Sequence, residues 1–340
     1  MPKTGVYWGY DHNNLTESGD PLHVVGISQS FKLPGVYAAQ KKLNQQQATS
    51  SETRLVLQKE KLTHQVTAAY MQAVYFKSLI KEYHYLDSLL SRFQSAAIRK
   101  TELGETNHLE SLTAQSKYQA NTLKLIQAEG DLGEAKQLMK YYLNTTDDPE
   151  PVEDSLTLLA VLPKRIEDHS LLVYENSLLD LAQAAQEVTI KHQLPDINLS
   201  VFNGINFNNH LRSYPGFTAG LSVPLWKQAY KSNTLAASKE IEIRQNEIEK
   251  NKNDLIQYQN RLTSQLAMHR QAIDKYTQQI QPLQGAVIQS AEKSFQQGEI
   301  DFFQYILTLE NNTDMKMNYL YHVYKYNQTV IELNFLINPN

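Results

Sequence analysis

The chain contains few groups that could perform catalysis or hold a metal ion. It has no cysteine, which excludes thiol nucleophiles, thiolate metal sites and disulfides. Its ten histidines are scattered, and none has the close spacing of a helix-borne ligand pair. Met315 and Met317 are two residues apart and cannot share a helix face, which disfavours a copper site. No glycine-rich phosphate loop, Gly-x-Ser-x-Gly turn or catalytic His/Asp pairing is present, so we expect no enzyme, no cofactor and no bound metal.

Composition narrows the class of protein further. The acidic cluster Asp147-Asp148-Pro149-Glu150 has the oxygen ligands of a hard cation, but a solvated linker is the favoured interpretation. A net charge of −4 without basic clusters gives nucleic acid little to bind. The longest apolar runs are shorter than a membrane-spanning helix requires. Only 13 glycines and 11 prolines in 340 residues indicate long helices.

Two long helices are expected. No glycine or proline occurs from residue 36 to 103, a stretch of about 102 Å if helical. Within it, apolar residues alternate by steps of four and three, which predicts a coiled-coil seam at Leu62, Val66, Ala69, Ala73, Phe76, Ile80 and Tyr83. A second seam runs through Ile241, Ile248, Leu255 and Leu262, and resumes after a stutter at Leu266, Ile273, Ile280 and Val287. Gly104 and Gly298 each precede a returning helix, as in a tight turn between helices.

Four stretches alternate apolar with small or polar residues, as half-buried strands do: 5–10, 25–31, 197–202 and 217–225. Each strand is expected to be about 8–11 residues long with its flanking residues, the length of a tilted strand that spans a membrane. Polar loops at 11–21 and 206–215 join them in pairs.

The two halves of the chain repeat at an offset of about 194 residues. Gly26-Ile27-Ser28 matches Gly220-Leu221-Ser222, and Gly104-Glu105 matches Gly298-Glu299. Each repeat therefore consists of two strands, a long helix, a turn and a returning helix.

This pattern resembles the TolC-like outer membrane factor family of Gram-negative bacteria over essentially the whole chain. The resemblance is carried by the duplicated β-β-α-α order, by the stretch Leu194-Pro195-Asp196-Ile197-Asn198-Leu199, and by the two glycine turns. Phe295-Gln296-Gln297-Gly298 is similar to the family's aromatic-x-x-Gly element, and Pro282 to a proline often found upstream. The sequence Gly-Glu-Ile-Asp at 298–301 is most similar to that of outer membrane subunits of heavy-metal RND efflux systems.

The resemblance implies a mainly α fold with a β-barrel part. Four strands per chain would complete a 12-stranded outer membrane barrel in a homotrimer, and the long helical hairpins would form a periplasmic tunnel. Four strands also leave open edges, which cannot face lipid and so favour closure by oligomerisation. The implied function is a passive exit duct for metal cations, working with a periplasmic adaptor (membrane fusion protein) and an inner membrane RND pump.

The expected segments follow from the repeat. They are barrel strands 1–33, a helical hairpin 34–144, an equatorial linker 145–167, an upper helix 168–193, barrel strands 194–226 and a second helical hairpin 227–340.

The resemblance also assigns roles to individual residues. The tunnel closes near the glycine turns, so the channel gate candidates are Glu105, Glu110, Glu299, Asp301 and Gln304. The candidates for adaptor docking are Leu103, Gly104, Gly298 and Ile300, and those for a membrane girdle of aromatic residues are Tyr7, Trp8, Tyr10, Phe217 and Trp226. Two alternatives stay open: polar helix starts that the dipole favours, and ordinary strand packing.

The beginning of the chain departs from the repeat. A helix equivalent to 168–193 and a signal peptide are expected before the first strand but are not in the sequence, so we expect a fragment of a longer protein. Two other classes remain open, a soluble coiled-coil scaffold and a periplasmic adaptor. The strand alternation and the repeat disfavour both.

Overall fold

The computed structural model describes residues 4–15, 21–162, 166–206, 212–226 and 228–336. Parts of the predicted strand loops, residues 163–165 of the predicted linker, Lys227 and both chain ends lie outside the described residues. The strands are β1 (Thr4–Leu15), β2 (Pro21–Lys32), β3 (Asp196–Asn206) and β4 (Arg212–Ser222). The helices are α1 (Pro34–Glu102), α2 (His108–Leu143), α3 (Ser170–Lys191), α4 (Gln228–Lys275), α5 (Gln281–Gln296) and α6 (Phe302–Leu336), with a 3₁₀ turn at Ile166–Asp168 and a π turn at Tyr276–Ile280.

The chain divides into two compact units. The first consists of Met1–Leu55 and Leu171–Asn251, and the second of Val56–Ser170 and Lys252–Asn340. Among the described residues, no helix combines the length and apolarity that crossing a bilayer requires.

The first unit contains one antiparallel sheet in the order β1-β2-β3-β4. The central pairing joins the two repeats, with Ile27 opposite Val201. Because β1 and β4 each pair with one neighbour, both present a free edge among the described residues. Polar contacts tie the helical segments of this unit together: Lys42 to Glu187, Thr53 to Ser177, and Asn251 to Glu175.

The second unit is a helical bundle with a core of narrow seams. Ala69 and Ala73 of α1 pack against Ala135 and Met139 of α2, and the small alanine side chains let the two helices approach closely. The predicted α1 seam is wrong at its first position, because Leu62 is 45% exposed.

The second long helix contains a π turn that the heptad pattern does not predict. It passes through the π turn before α5, where the amide of Gln281 donates to the carbonyl of Tyr276. Pro282 follows at once, and a proline has no amide hydrogen and crowds the preceding turn, which accounts for the change of register. The extra residue rotates the seam, so that Ile273 is buried while Val287 is 42% exposed.

The segment between α2 and the 3₁₀ turn is held against the bundle. Asn327 of α6 accepts from the Leu159 amide at 2.9 Å and donates to the Thr157 carbonyl at 2.7 Å. Asn334, one heptad later, makes the same pair of bonds to Leu162 and Ala160. Seven residues of a helix and three residues of an extended segment both cover about 10 Å. The spacing of the two asparagines on α6 therefore matches the spacing of the backbone groups that they bind.

Two carboxylates of the acidic cluster form ion pairs with lysines and stay largely exposed. Lys140 lies 2.7 Å from Asp148, and Lys136 lies 2.5 Å from Glu150. The hydrogen bond and charge of Lys140 lower the pKa of Asp148, and those of Lys77 lower the pKa of Asp154. These carboxylates fasten the segment to α1 and α2.

Candidate functional site

Two glycines of the second unit terminate helices in the same way. Gly104 and Gly298 both have φ of +72°, which only glycine adopts without strain. After α1, the backbone amide of Glu105 donates to the carbonyl of Lys100 at 2.9 Å. After α5, the backbone amide of Glu299 donates to the carbonyl of Ser294 at 2.8 Å. This is the Schellman motif, and nothing lies within 4 Å of a Cβ added at either glycine. Both glycines are therefore required by backbone conformation and not by crowding.

The returning helices begin with side-chain caps. Asn107 Oδ1 accepts from the Glu110 amide at 2.9 Å, and the Thr106 hydroxyl donates to the Glu110 carboxylate. At the start of α6, the Asp301 carboxylate accepts a hydrogen bond from the backbone N–H of Gln304 at 2.7 Å. The side-chain oxygen of Gln304 in turn accepts one from the backbone N–H of Asp301 at 3.1 Å. This reciprocal capping box gives Asp301 and Gln304 a structural role independent of any channel.

A groove of about 410 Å³ runs between the first turns of α2 and α6. Glu110 and Asp301 both line it, together with Lys117 and the apolar side chains of Phe302 and Phe303. Lys117 is held 2.7 Å from Glu310. The fold thus brings two of the five gate candidates to one groove, while Glu105, Glu299 and Gln304 are not among its lining residues.

An aromatic cluster fixes the helices beneath the turns. Phe93 of α1 meets Phe302 and Tyr305 edge-on, at 4.8 and 5.5 Å between ring centroids. Phe295 stacks on Tyr305 at 4.9 Å, and burial is the main cause of the raised pKa of Tyr305. The aromatic residue three positions before Gly298 therefore acts by packing. Of the docking candidates next to the glycines, Leu103 is 65% exposed and Ile300 is half-buried.

The sheet of the first unit has two different faces. Val6, Ile27, Val201 and Phe217 lie opposite one another across all four strands, and each is exposed. The other face carries mainly glycine, serine and threonine, as in the row Gly5, Ser28, Ser200 and Thr218. One face is therefore apolar and accessible, and the other is mainly small and polar, with Tyr7, Leu22 and Phe202 among its larger side chains.

The girdle candidates divide between these faces. Trp8 and Tyr10 lie on the apolar face, where both contact the ring of His23 at 5.9 and 4.8 Å. Tyr7 lies on the opposite face, with its hydroxyl 3.0 Å from Ser200 Oγ and its ring over Gly26. Tyr7 is thus separated from Trp8, Tyr10 and Phe217, because strand residues alternate in direction. Trp226 is exposed and follows β4.

The fold creates polar contacts that the sequence spacing does not reveal. His64 Nε2 lies 3.1 Å from Glu332, which also accepts from the Tyr258 hydroxyl at 2.9 Å. The close contact with His64 is the main cause of the lowered pKa of Glu332. These three side chains join α1, α4 and α6.

A second contact brings two histidines together. His269 Nδ1 and His322 Nδ1 are 3.0 Å apart. Burial lowers the pKa of His269, and so do the charges of His322 and Lys325. Within the described ranges, no three His, Cys, Asp or Glu side chains gather into a group that could hold a metal ion.

Comparisons with known proteins identify the fold. No protein-family model and no curated protein matches the chain. A membrane protein from Pseudomonas aeruginosa superposes with a TM-score of 0.82 at 12% identity, over 99% of this chain and 84% of that one. The open state of the MtrE outer membrane channel of Neisseria gonorrhoeae gives 0.79 at 13% identity, over 99% and 80%. CusC, described in terms of transmembrane channel formation, gives 0.76 at 13% identity, over 100% and 83%. The chain therefore has the fold that its resemblance to the TolC-like outer membrane factors predicts, with long helical hairpins and four strands per chain.

Proposed function

We propose that this chain is the outer membrane channel subunit of a tripartite efflux system. It serves as a passive exit duct and needs no catalytic residue or cofactor, because an inner membrane pump supplies the energy. The observation that carries the proposal is the four-stranded sheet, with one accessible apolar face and one small polar face. Lipid on one side and water on the other require this division.

The free edges of the sheet support assembly into a homotrimer. A spanning sheet must satisfy every backbone amide and carbonyl, so β1 of one copy would pair with β4 of the next. Three copies of four strands give a 12-stranded barrel in the outer membrane. The helical hairpins then extend into the periplasm, where the turns at Gly104 and Gly298 are the surface for a periplasmic adaptor.

Metal cations are the solute class we propose, moved by an RND pump. The support is the sequence at 298–301, which is most similar to heavy-metal efflux subunits, and the presence of carboxylates near the turns. Glu110 and Asp301 share a groove, so they are the strongest of the gate candidates. Threefold symmetry would triple each charge around one constriction, which attracts cations.

The experiment compares neighbouring residues on opposite faces of β4. Phe217→Glu places a charge on the apolar face, whereas Thr218→Glu places one on the polar face. In planar bilayers, we expect the unaltered protein and Thr218→Glu to insert and conduct. We expect Phe217→Glu to insert several-fold less often, since a charge on the lipid face of a barrel is destabilising by a depth-dependent amount, which for Glu is smaller than the about 2–4 kcal/mol of Arg or Lys at the midplane.

Helix content by circular dichroism verifies that each variant is folded. Absence of conductance from the unaltered protein, with normal helix content, would contradict the duct. That outcome would favour the soluble coiled-coil scaffold or the adaptor. Equal insertion of the two variants would contradict the assignment of the lipid face.

A further inference from the structure

His269 of α4 and His322 of α6 form a pair of imidazoles in the second unit. Their Nδ1 atoms are 3.0 Å apart, and their ring planes are inclined by 51°. His269 is 8% exposed, whereas His322 is half-buried. One side of the pair is therefore packed, and the other is accessible to water and small ions.

The distance between the two nitrogens suits a shared metal ion. Zinc and related ions bind histidine nitrogen at about 2.0–2.1 Å. Two such nitrogens are about 2.9 Å apart at a right angle and about 3.3 Å apart at the tetrahedral angle, by geometry from that bond length. The observed 3.0 Å falls between these values. The two helices thus hold the donor atoms near the separation that coordination requires.

We propose that His269 and His322 form a two-imidazole site for a divalent transition-metal ion that prefers nitrogen ligands, such as Zn²⁺, Ni²⁺ or Cu²⁺. Without the ion, one Nδ1–H donates to the other Nδ1. With it, both rings carry their hydrogen on Nε2 and present Nδ1 lone pairs to the metal. Because no third protein ligand gathers here among the described residues, water fills the remaining positions.

The surrounding charges set the strength of the site. The positive charge of Lys325 acts on His269 from the neighbouring helix α6. Lys325 also repels a bound cation, while its amine contacts Gln328 and the rings of Tyr321 and Tyr324. On α4, Arg270 and Asp274 neutralise each other at 3.0 Å, and the apolar Leu156 and Leu159 cover the adjoining cluster of Ile273 and Val323. Lys325 is therefore the residue whose removal should tighten binding.

The experiment measures Zn²⁺ and Cu²⁺ binding to the full chain after removal of metals with a chelator. Calorimetry gives the Zn²⁺ affinity, and electron paramagnetic resonance of bound Cu²⁺ reports nitrogen ligands. We expect the double variant His269→Gln with His322→Gln to bind Zn²⁺ at least tenfold more weakly. We expect Lys325→Met to bind it several-fold more tightly with both imidazoles intact.

The matched control is His84→Gln, which removes an exposed histidine of α1. It should leave the Zn²⁺ affinity unchanged. Unchanged affinity in the double variant would overturn the proposal. If that variant does not fold, a Cu²⁺ spectrum of the unaltered protein without two nitrogen ligands, or no tightening in Lys325→Met, overturns it instead. The outcome does not depend on whether the chain forms a duct.

Discussion

At the level of single residues, the carboxylate of Glu110 both stabilises the start of α2 and lines the groove between α2 and α6. As an acid in the first turn of α2, it interacts favourably with the helix dipole, and Thr106 donates to it. The same side chain lines the groove that Asp301 also lines. Helix stability alone accounts for a carboxylate here, so only a charge-dependent measurement separates the structural role from a role in the gate.

We therefore predict that Glu110→Lys lowers the cation preference of the channel, because a trimer would exchange three negative charges for three positive ones. The reversal potential in bilayers under a KCl gradient measures this preference. Glu110→Gln should have an intermediate effect, since it keeps a hydrogen-bond acceptor for Thr106. Glu129→Lys, at an exposed position of the same helix, should have little effect. An unchanged reversal potential for Glu110→Lys in folded channels would limit Glu110 to capping.

At the level of elements, the segment between α2 and the 3₁₀ turn depends on two asparagines of unequal burial. Asn327 is 0% exposed and Asn334 is half-buried. Asn327→Leu leaves the Leu159 amide and Thr157 carbonyl without partners, which costs about 3 kcal/mol in all. Asn334→Leu costs about 1 kcal/mol, because water can replace its bonds.

Limited proteolysis within residues 152–162 measures this difference. If cleavage follows the population of the detached segment, the Asn327 variant should be cut about a hundredfold faster than the unaltered chain. The Asn334 variant should be cut only several-fold faster. Equal rates for both variants would mean that the ion pairs at Asp148 and Glu150, and not the asparagines, hold the segment.

The elements also show what a sequence can and cannot reveal. The absence of glycine and proline predicts α1, and the glycine at each turn predicts its end, because both effects are local in the backbone. The alternation of the strands predicts the two faces of the sheet, whereas the resemblance assigns Tyr7 and its neighbour Trp8 the same girdle role although they lie on opposite faces. The π turn is not evident from the heptad pattern, although Pro282 follows it. The Asn327 contacts and the pair of His269 and His322 are not evident because each depends on packing between elements. The partners of the last two contacts are 53 to 170 residues apart in the chain.

At the level of the whole molecule, each unit leaves a surface that a second copy would complete. The first unit has the free edges of β1 and β4. In the second, one face of α2 carries an apolar stripe opposite its buried seam. The stripe consists of Leu109, Leu112, Leu123, Ile126, Leu138 and Tyr141, all exposed. A contiguous row of large exposed apolar side chains marks a surface where another protein or a membrane binds.

If a neighbouring copy covers this stripe, Leu123→Glu should weaken the homotrimer, because a carboxylate would be buried without a partner. Leu123 lies at the middle of the stripe and is 69% exposed in the single chain, so the change should leave the fold of one copy intact. Native mass spectrometry in detergent should show a smaller trimer fraction, with unchanged helix content by circular dichroism. Glu129→Gln alters the charge of α2 on a side turned about 120° away and should leave the trimer fraction unchanged. A trimer as abundant in Leu123→Glu as in Glu129→Gln would show that the stripe does not face another copy, and the barrel edges alone would then have to hold the assembly together.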